Sequence, residues 1–159
     1  MSSEVTKAAA SADLDCSPRT KVDPRGPRFG AAVTTVVLAG ALIFNGTTLG
    51  TVLIAWQTVV FALGALVGLQ AQPYGIFFRK VVKPRLAPPT ELEDAAPPRF
   101  AQAVGLAFLV VALVAALLGA TVVSAVAVAF ALAAAFLNAA FAFCLGCEMY
   151  LLGQRLAHR

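Results

Sequence analysis

Cys144-Leu-Gly-Cys147, followed at once by Glu148, is the one stretch of this 159-residue sequence whose residue types and spacing point to covalent chemistry. Two cysteines three apart share a helical face, where their Cα atoms can come within disulfide range. Such a pair can exchange between dithiol and disulfide, pass on a persulfide, or supply half of a metal site. Cysteine is also a small apolar residue that packs well between helices, so plain packing stands as the alternative. A metal would need two more ligands. Glu148 and His158 are the nearest in sequence, and a homo-oligomer would bring four thiolates together. His158 lies in a polar tail, and no metal is assigned. Cys16 sits near the N-terminus without a lipid-attachment motif and reads as incidental. Cys144 and Cys147 are therefore the candidate redox pair, with Glu148 as a modulator of their charge.

Position on the helix decides how reactive such a pair is. The last apolar segment carries the helix up to the pair, so the cysteines come late in it. The negative end of the helix dipole and the Glu148 carboxylate would then both oppose thiolate formation, and a partner would have to activate the pair. A reducing cytoplasm also argues against a permanent structural disulfide.

The elements that hold these residues are read from charge. Of all residues, 60% are hydrophobic and only 13% are charged, against about 25% charged in an ordinary soluble domain. Residues 29–78 contain no Asp, Glu, Lys or Arg, and neither do residues 100–147. Blocks with no wet face belong in lipid, and each is long enough for two crossings of about 20 residues. Asn45-Gly46-Thr47-Thr48 and Gly119-Ala120-Thr121 supply the turns. The expected spans are about 29–46, 49–70, 100–120 and 122–146, within a membrane domain over 23–156. All 12 basic residues lie before the first span, in the central loop or after the last span. Basic residues stay in the cytoplasm, so both termini, the loop and the cysteines are expected inside. No compact basic domain exists to bind nucleic acid; the net charge of +4 reads as contact with anionic lipid headgroups.

The fold class expected is an all-α integral membrane protein of four transmembrane helices, arranged as two hairpins in a parallel repeat. Asp23-Pro-Arg-Gly-Pro-Arg-Phe29 leads the first hairpin and Asp94-Ala-Ala-Pro-Pro-Arg-Phe100 the second, both reading D-x-x-x-P-R-F. Residues 1–22 read as a disordered cytoplasmic tail. In the cytoplasmic loop over 71–99, Phe77, Phe78, Val81 and Val82 fall on one helical face and Arg79, Lys80 and Lys83 on the other. That pattern predicts an amphipathic helix on the membrane surface. Gly64-x-x-x-Gly68 allows close helix approach. Thr34, Thr35, Gln57 and Asn138 are the mild polar residues inside the spans, and no ionisable group lies deep in any of them, which weakens ion-coupled transport. On a continuous helix Asn138 faces away from Cys147 and would serve a neighbouring helix.

Val22-Asp-Pro-Arg-Gly-Pro-Arg-Phe29, Pro73-Tyr-Gly-Ile-Phe-Phe-Arg79, Glu93-Asp-Ala-Ala-Pro-Pro-Arg-Phe100 and Phe143-Cys-Leu-Gly-Cys-Glu-Met-Tyr150 together resemble one family. It is a group of small four-helix membrane proteins, common in actinobacteria and catalogued as a domain of unknown function. The resemblance spans about residues 22–156. It implies a bacterial inner membrane and a setting beside thioredoxin-like proteins and thiosulfate sulfurtransferases. The expected function is a membrane thiol-redox or sulfur-relay protein with such a partner. The alternative is a non-catalytic scaffold or small-solute permease whose cysteines only pack. No sequence feature identifies a cofactor.

Overall fold

The computed structural model of the protein describes residues 21–89 and 91–157. Most of the expected tail, with Cys16, and also His158 lie outside the described residues. In chain order the helices are α1 (Arg25–Ile43), α2 (Thr48–Ala62), α3 (Pro73–Phe77), α4 (Ala96–Leu117), α5 (Thr121–Phe141) and α6 (Leu145–Ala157). A π-helical stretch over Leu63–Val67 continues α2. Helices α1, α2 with its extension, α4 and α5 are long and apolar enough to cross a membrane, as a multi-pass membrane protein requires.

The four long helices form a ring in which α1 and α4 each pack on both α2 and α5. Leu38, Ile54, Val60, Leu109 and Val128 fill its centre. Ala41, Ala112, Ala127 and Ala131 let the backbones come close, as apolar helices must when lipid competes equally for large side chains. Val36, Leu66 and Val122 point outward, which suits hydrocarbon and would not suit water.

At one end of the ring the turns are tied by local polar chemistry. The Thr47 hydroxyl caps α2 by accepting from the Gly50 N–H (3.2 Å), and the Asn45 side-chain amide donates to the Thr121 carbonyl (2.9 Å). The opposite end carries the basic residues. Here Lys21–Val22 (β1) pairs antiparallel with Glu93–Asp94 (β2), Lys21 against Asp94 and Val22 against Glu93. Each strand runs into its helix through the same turn. Asp23 Oδ1 accepts from the Arg25 N–H (3.0 Å), and Asp94 Oδ1 accepts from the Ala96 N–H (2.9 Å). Arg99 then donates to the carbonyls of Ala65 and Leu66, both at 2.8 Å, satisfying acceptors at the end of the α2 extension.

Three expectations need correction. The last apolar helix stops at Phe141, not 146, because Ala142 takes a left-handed conformation (φ 55°). A separate helix, α6, then carries the chain onward. In the loop, the helical segment changes from α to π at Phe78. Phe78 is buried, its ring 5.7 Å from Phe29 of α1, so half of the expected lipid-facing aromatic pair packs on the protein instead. Finally, of the Gly64-x-x-x-Gly68 pair Gly64 alone allows a close helix approach, against Gln102 of α4, and Gly68 meets no neighbour. A Cβ on Gly64 would collide with the Gln72 side chain, and Gly68 ends the π stretch at φ 131°.

Candidate functional site

Cys144 is the residue immediately before α6, and its carbonyl accepts the first bond of that helix from the Glu148 N–H (3.0 Å). It therefore holds the N-cap position, where free N–H groups and the positive dipole end gather. The sequence alone puts the pair late in a helix; the break at Ala142 places it at a helix start instead and reverses the direction in which the dipole acts. Cys147 lies in the first turn of α6, and both cysteines are half-buried with free thiols.

The local hydrogen bonds follow from this placement. The neighbouring Cys147 thiol, with help from the backbone N–H groups of Cys147 and Gly146, brings the Cys144 thiol down to about 7. Burial and the Glu148 carboxylate work against that shift without cancelling it. Cys147 is pushed up, chiefly by the neighbouring Cys144 thiol, and further by burial and by the negative charges of Cys144, Glu93 and Glu148. The two thiols thus differ in how readily each gives up its proton, Cys144 more and Cys147 less. The Glu148 carboxylate and that of Glu93 in β2 both add negative charge beside Cys147.

What places the pair is α4. Gly146 is buried against Ala101, and a Cβ at Gly146 would stand 2.5 Å from the Ala101 Cα. The Phe100 and Tyr150 rings lie 5.7 Å apart alongside this contact. The aromatic of the second D-x-x-x-P-R-F segment thereby steadies the cysteine helix.

A cavity of about 300 Å³ opens between α1, α4 and α5, closed on one side by the start of α6. Cys144 lines it and Cys147 does not. Thr34, Gln102 and Asn138 are its other polar side chains, and among the described residues no Asp, Glu, Lys, Arg or His borders it. Asn138 thus shares a cavity with Cys144, whereas Cys147, from which the sequence turns it away, does not line it.

A second polar group lies deeper. Trp56 Nε1–H donates to Tyr74 Oη (2.9 Å), the Tyr74 hydroxyl donates to Gln57 Oε1 (2.9 Å), and Gln57 Nε2–H donates to Thr34 Oγ1 (3.0 Å). Beside it, Gln72 Nε2–H reaches both Gln102 Oε1 (2.7 Å) and the Val60 carbonyl (3.3 Å). Among the described residues, no group of three or more His, Cys, Asp or Glu side chains is placed to hold a metal.

The profile of a family described as "Domain of unknown function (DUF4395)" matches residues 22–155. No curated protein matches the chain, and no solved structure does.

Proposed function

The chain belongs to the DUF4395 family, and for it we propose a membrane thiol-redox or sulfur-relay role carried by Cys144 and Cys147. The observation that carries the reading is the placement of Cys144 at the N-cap of α6 with Cys147 one turn on in the same helix. Cys144 is then the attacking thiol and Cys147 the resolving one. The Cys144 thiolate attacks the disulfide of a partner. A mixed disulfide forms, and the partner's other sulfur leaves as a thiolate. Cys147 then loses its proton and attacks Cys144, closing the intramolecular disulfide and releasing the partner reduced. With a persulfide donor the outer sulfur passes to Cys144 and the donor leaves as a thiol.

The partner is a thioredoxin-like protein or a sulfurtransferase, the two neighbours that the family resemblance implies. The distribution of basic residues supports a cytoplasmic position for the pair and both termini, and the resemblance supports a bacterial inner membrane. The matched aspartate turns before α1 and α4, together with the ring packing, support two hairpins in a parallel repeat.

The test is a trap. Purified after acid quench, Cys147→Ser should carry a mixed disulfide or persulfide on Cys144, detected by mass spectrometry. If neither Cys147→Ser nor Cys144→Ser carries an adduct, and Cys144→Ala/Cys147→Ala grows like the parent under thiosulfate stress, the carrier role falls. A scaffold or permease with packing cysteines would then be the reading left.

A further inference from the structure

The geometry points to the cavity beside Cys144 as the site of a lipid-soluble quinone that oxidises the Cys144–Cys147 dithiol, an inference that rests on the carrier role above. The lining selects the class of molecule. With no cation on its walls, the cavity would strip water from a sulfur oxyanion or a phosphorylated cofactor and return nothing. A neutral ring with an apolar tail meets no such cost. Phe108 and Phe130, whose rings lie 5.9 Å apart, both line the cavity and are exposed on the outer surface of the ring of helices. The cavity therefore reaches the lipid-facing side, the only route by which a membrane-dissolved molecule enters.

The polar groups are the right ones for carbonyl oxygens. Asn138 makes no hydrogen bond among the described residues, and Gln102 uses its oxygen to accept from Gln72, leaving its own amide N–H groups free to donate. Two amide donors, the Thr34 hydroxyl and one thiol on mostly apolar walls suit a ring that carries carbonyls and accepts electrons. Only Cys144 borders the cavity, so the sulfur that attacks is also the one the ring can touch.

The electron and proton count closes with a quinone and no other reagent. The Cys144 thiolate adds to a ring carbon, forming a carbon–sulfur bond. Cys147 gives up its proton and attacks the Cys144 sulfur, forming the disulfide as the carbon–sulfur bond breaks. That electron pair stays on the ring, which leaves as hydroquinone with the two protons of the two thiols. The dithiol is oxidised by two electrons and the quinone is reduced by two. A partner dithiol then returns the Cys144–Cys147 disulfide to the dithiol by the exchange proposed above run in reverse, leaving the partner oxidised.

The test uses the full chain in nanodiscs, an azido-quinone photolabel and ubiquinone-1. The label should map to peptides containing Phe108 or Asn138, and ubiquinone-1 should yield one hydroquinone per disulfide formed. Ala134→Trp, which fills the cavity, should abolish both, while Asn138→Leu should weaken labelling about fivefold through one lost hydrogen bond. Labelling unchanged in both variants, or displaced equally by oleate, overturns the inference and marks a lipid groove. A label in the cavity with no hydroquinone formed, while diamide still oxidises the pair, overturns the redox step and leaves the carrier role standing. Thiols that even diamide cannot join would instead sink the carrier role itself, and the quinone redox step with it.

Discussion

Gly146 and Ala101 bring α6 and α4 into backbone contact, and the two candidate thiols sit on either side of that contact. The absence of a side chain at Gly146 is what lets the start of α6 lie flat on α4. Cys144 is thereby turned to the cavity and Cys147 kept in the first turn, within reach of it.

Gly146→Ala should therefore uncouple the site. The added methyl would stand 2.5 Å from the Ala101 Cα and 2.6 Å from its Cβ, both on rigid backbone. Overpacking of this kind costs about 1–3 kcal/mol. We expect faster maleimide labelling of both cysteines as α6 lifts, with the four long helices intact by circular dichroism. Unchanged labelling would show that the contact does not position the pair.

Reactivity should follow pH through an unusually low midpoint. The Cys144 thiol is held at about 7 by donated hydrogen bonds, against about 8.5 for an ordinary thiol. Its alkylation rate by iodoacetamide should rise through pH 7 and level off above it. The sign for stability runs the same way. The lowered value contributes stabilisation that is fully present above the ordinary thiol range and is lost as pH falls through about 7. A midpoint near 8.5 or higher would contradict the lowering of the Cys144 thiol by Cys147 and the neighbouring N–H groups.

The partner thiol can be separated from its hydrogen bond. Cys147→Ser keeps a hydroxyl donor toward Cys144, so the low midpoint should persist. Cys147→Ala removes the donor that contributes most to it. A hydrogen bond to a charged group is worth about 1.5–3 kcal/mol, or roughly one to two pH units. The Cys144 midpoint should rise by about that much in the alanine variant alone. Equal midpoints in the two variants would assign the shift to the helix terminus rather than to Cys147.

The break that creates this site can be strengthened. Ala142 holds φ 55°, a conformation that costs a residue with a Cβ about 1 kcal/mol relative to glycine. Ala142→Gly should stabilise the protein by about that amount in SDS titration, and Ala142→Val should destabilise it. A destabilised glycine variant would mean that a continuous helix competes with the break.

Much of this architecture was legible because lipid tolerates so few residue types. Two charge-free blocks with a Gly–Thr turn in each leave little besides four apolar helices. The end of α5 was not legible. Helices commonly stop at a left-handed glycine, whereas here an alanine in an Ala-rich run takes that conformation, and Phe143 closes the end by donating to the Leu137 carbonyl. Every error at the site follows from that one residue. A helix carried through 142 puts Cys144 and Cys147 at a negative dipole end and turns Asn138 away. The pairing of Glu93 with Val22 was equally hidden, since two-residue strands leave no periodicity to read. The cysteines themselves were legible by spacing alone.

The buried polar chain gives the last prediction, because its direction is fixed by its donors. Gln57 is fully buried and spends its N–H on Thr34 and its oxygen on Tyr74. Thr34→Val keeps the shape and removes the acceptor, stranding an amide donor inside the ring of helices. Such bonds inside membranes are worth about 0.6–1.7 kcal/mol, and Thr34→Val should lose about that much stability while Thr34→Ser loses less. Tyr74→Phe acts on the other end of the chain. It removes the acceptor of Trp56, the sole tryptophan, and the donor to Gln57. Tryptophan emission should shift to shorter wavelength in Tyr74→Phe and stay put in Thr34→Val, because only the first change frees the indole N–H. A shift of the same size in both variants would show that the chain moves as a unit and that Trp56 reports packing rather than its own hydrogen bond.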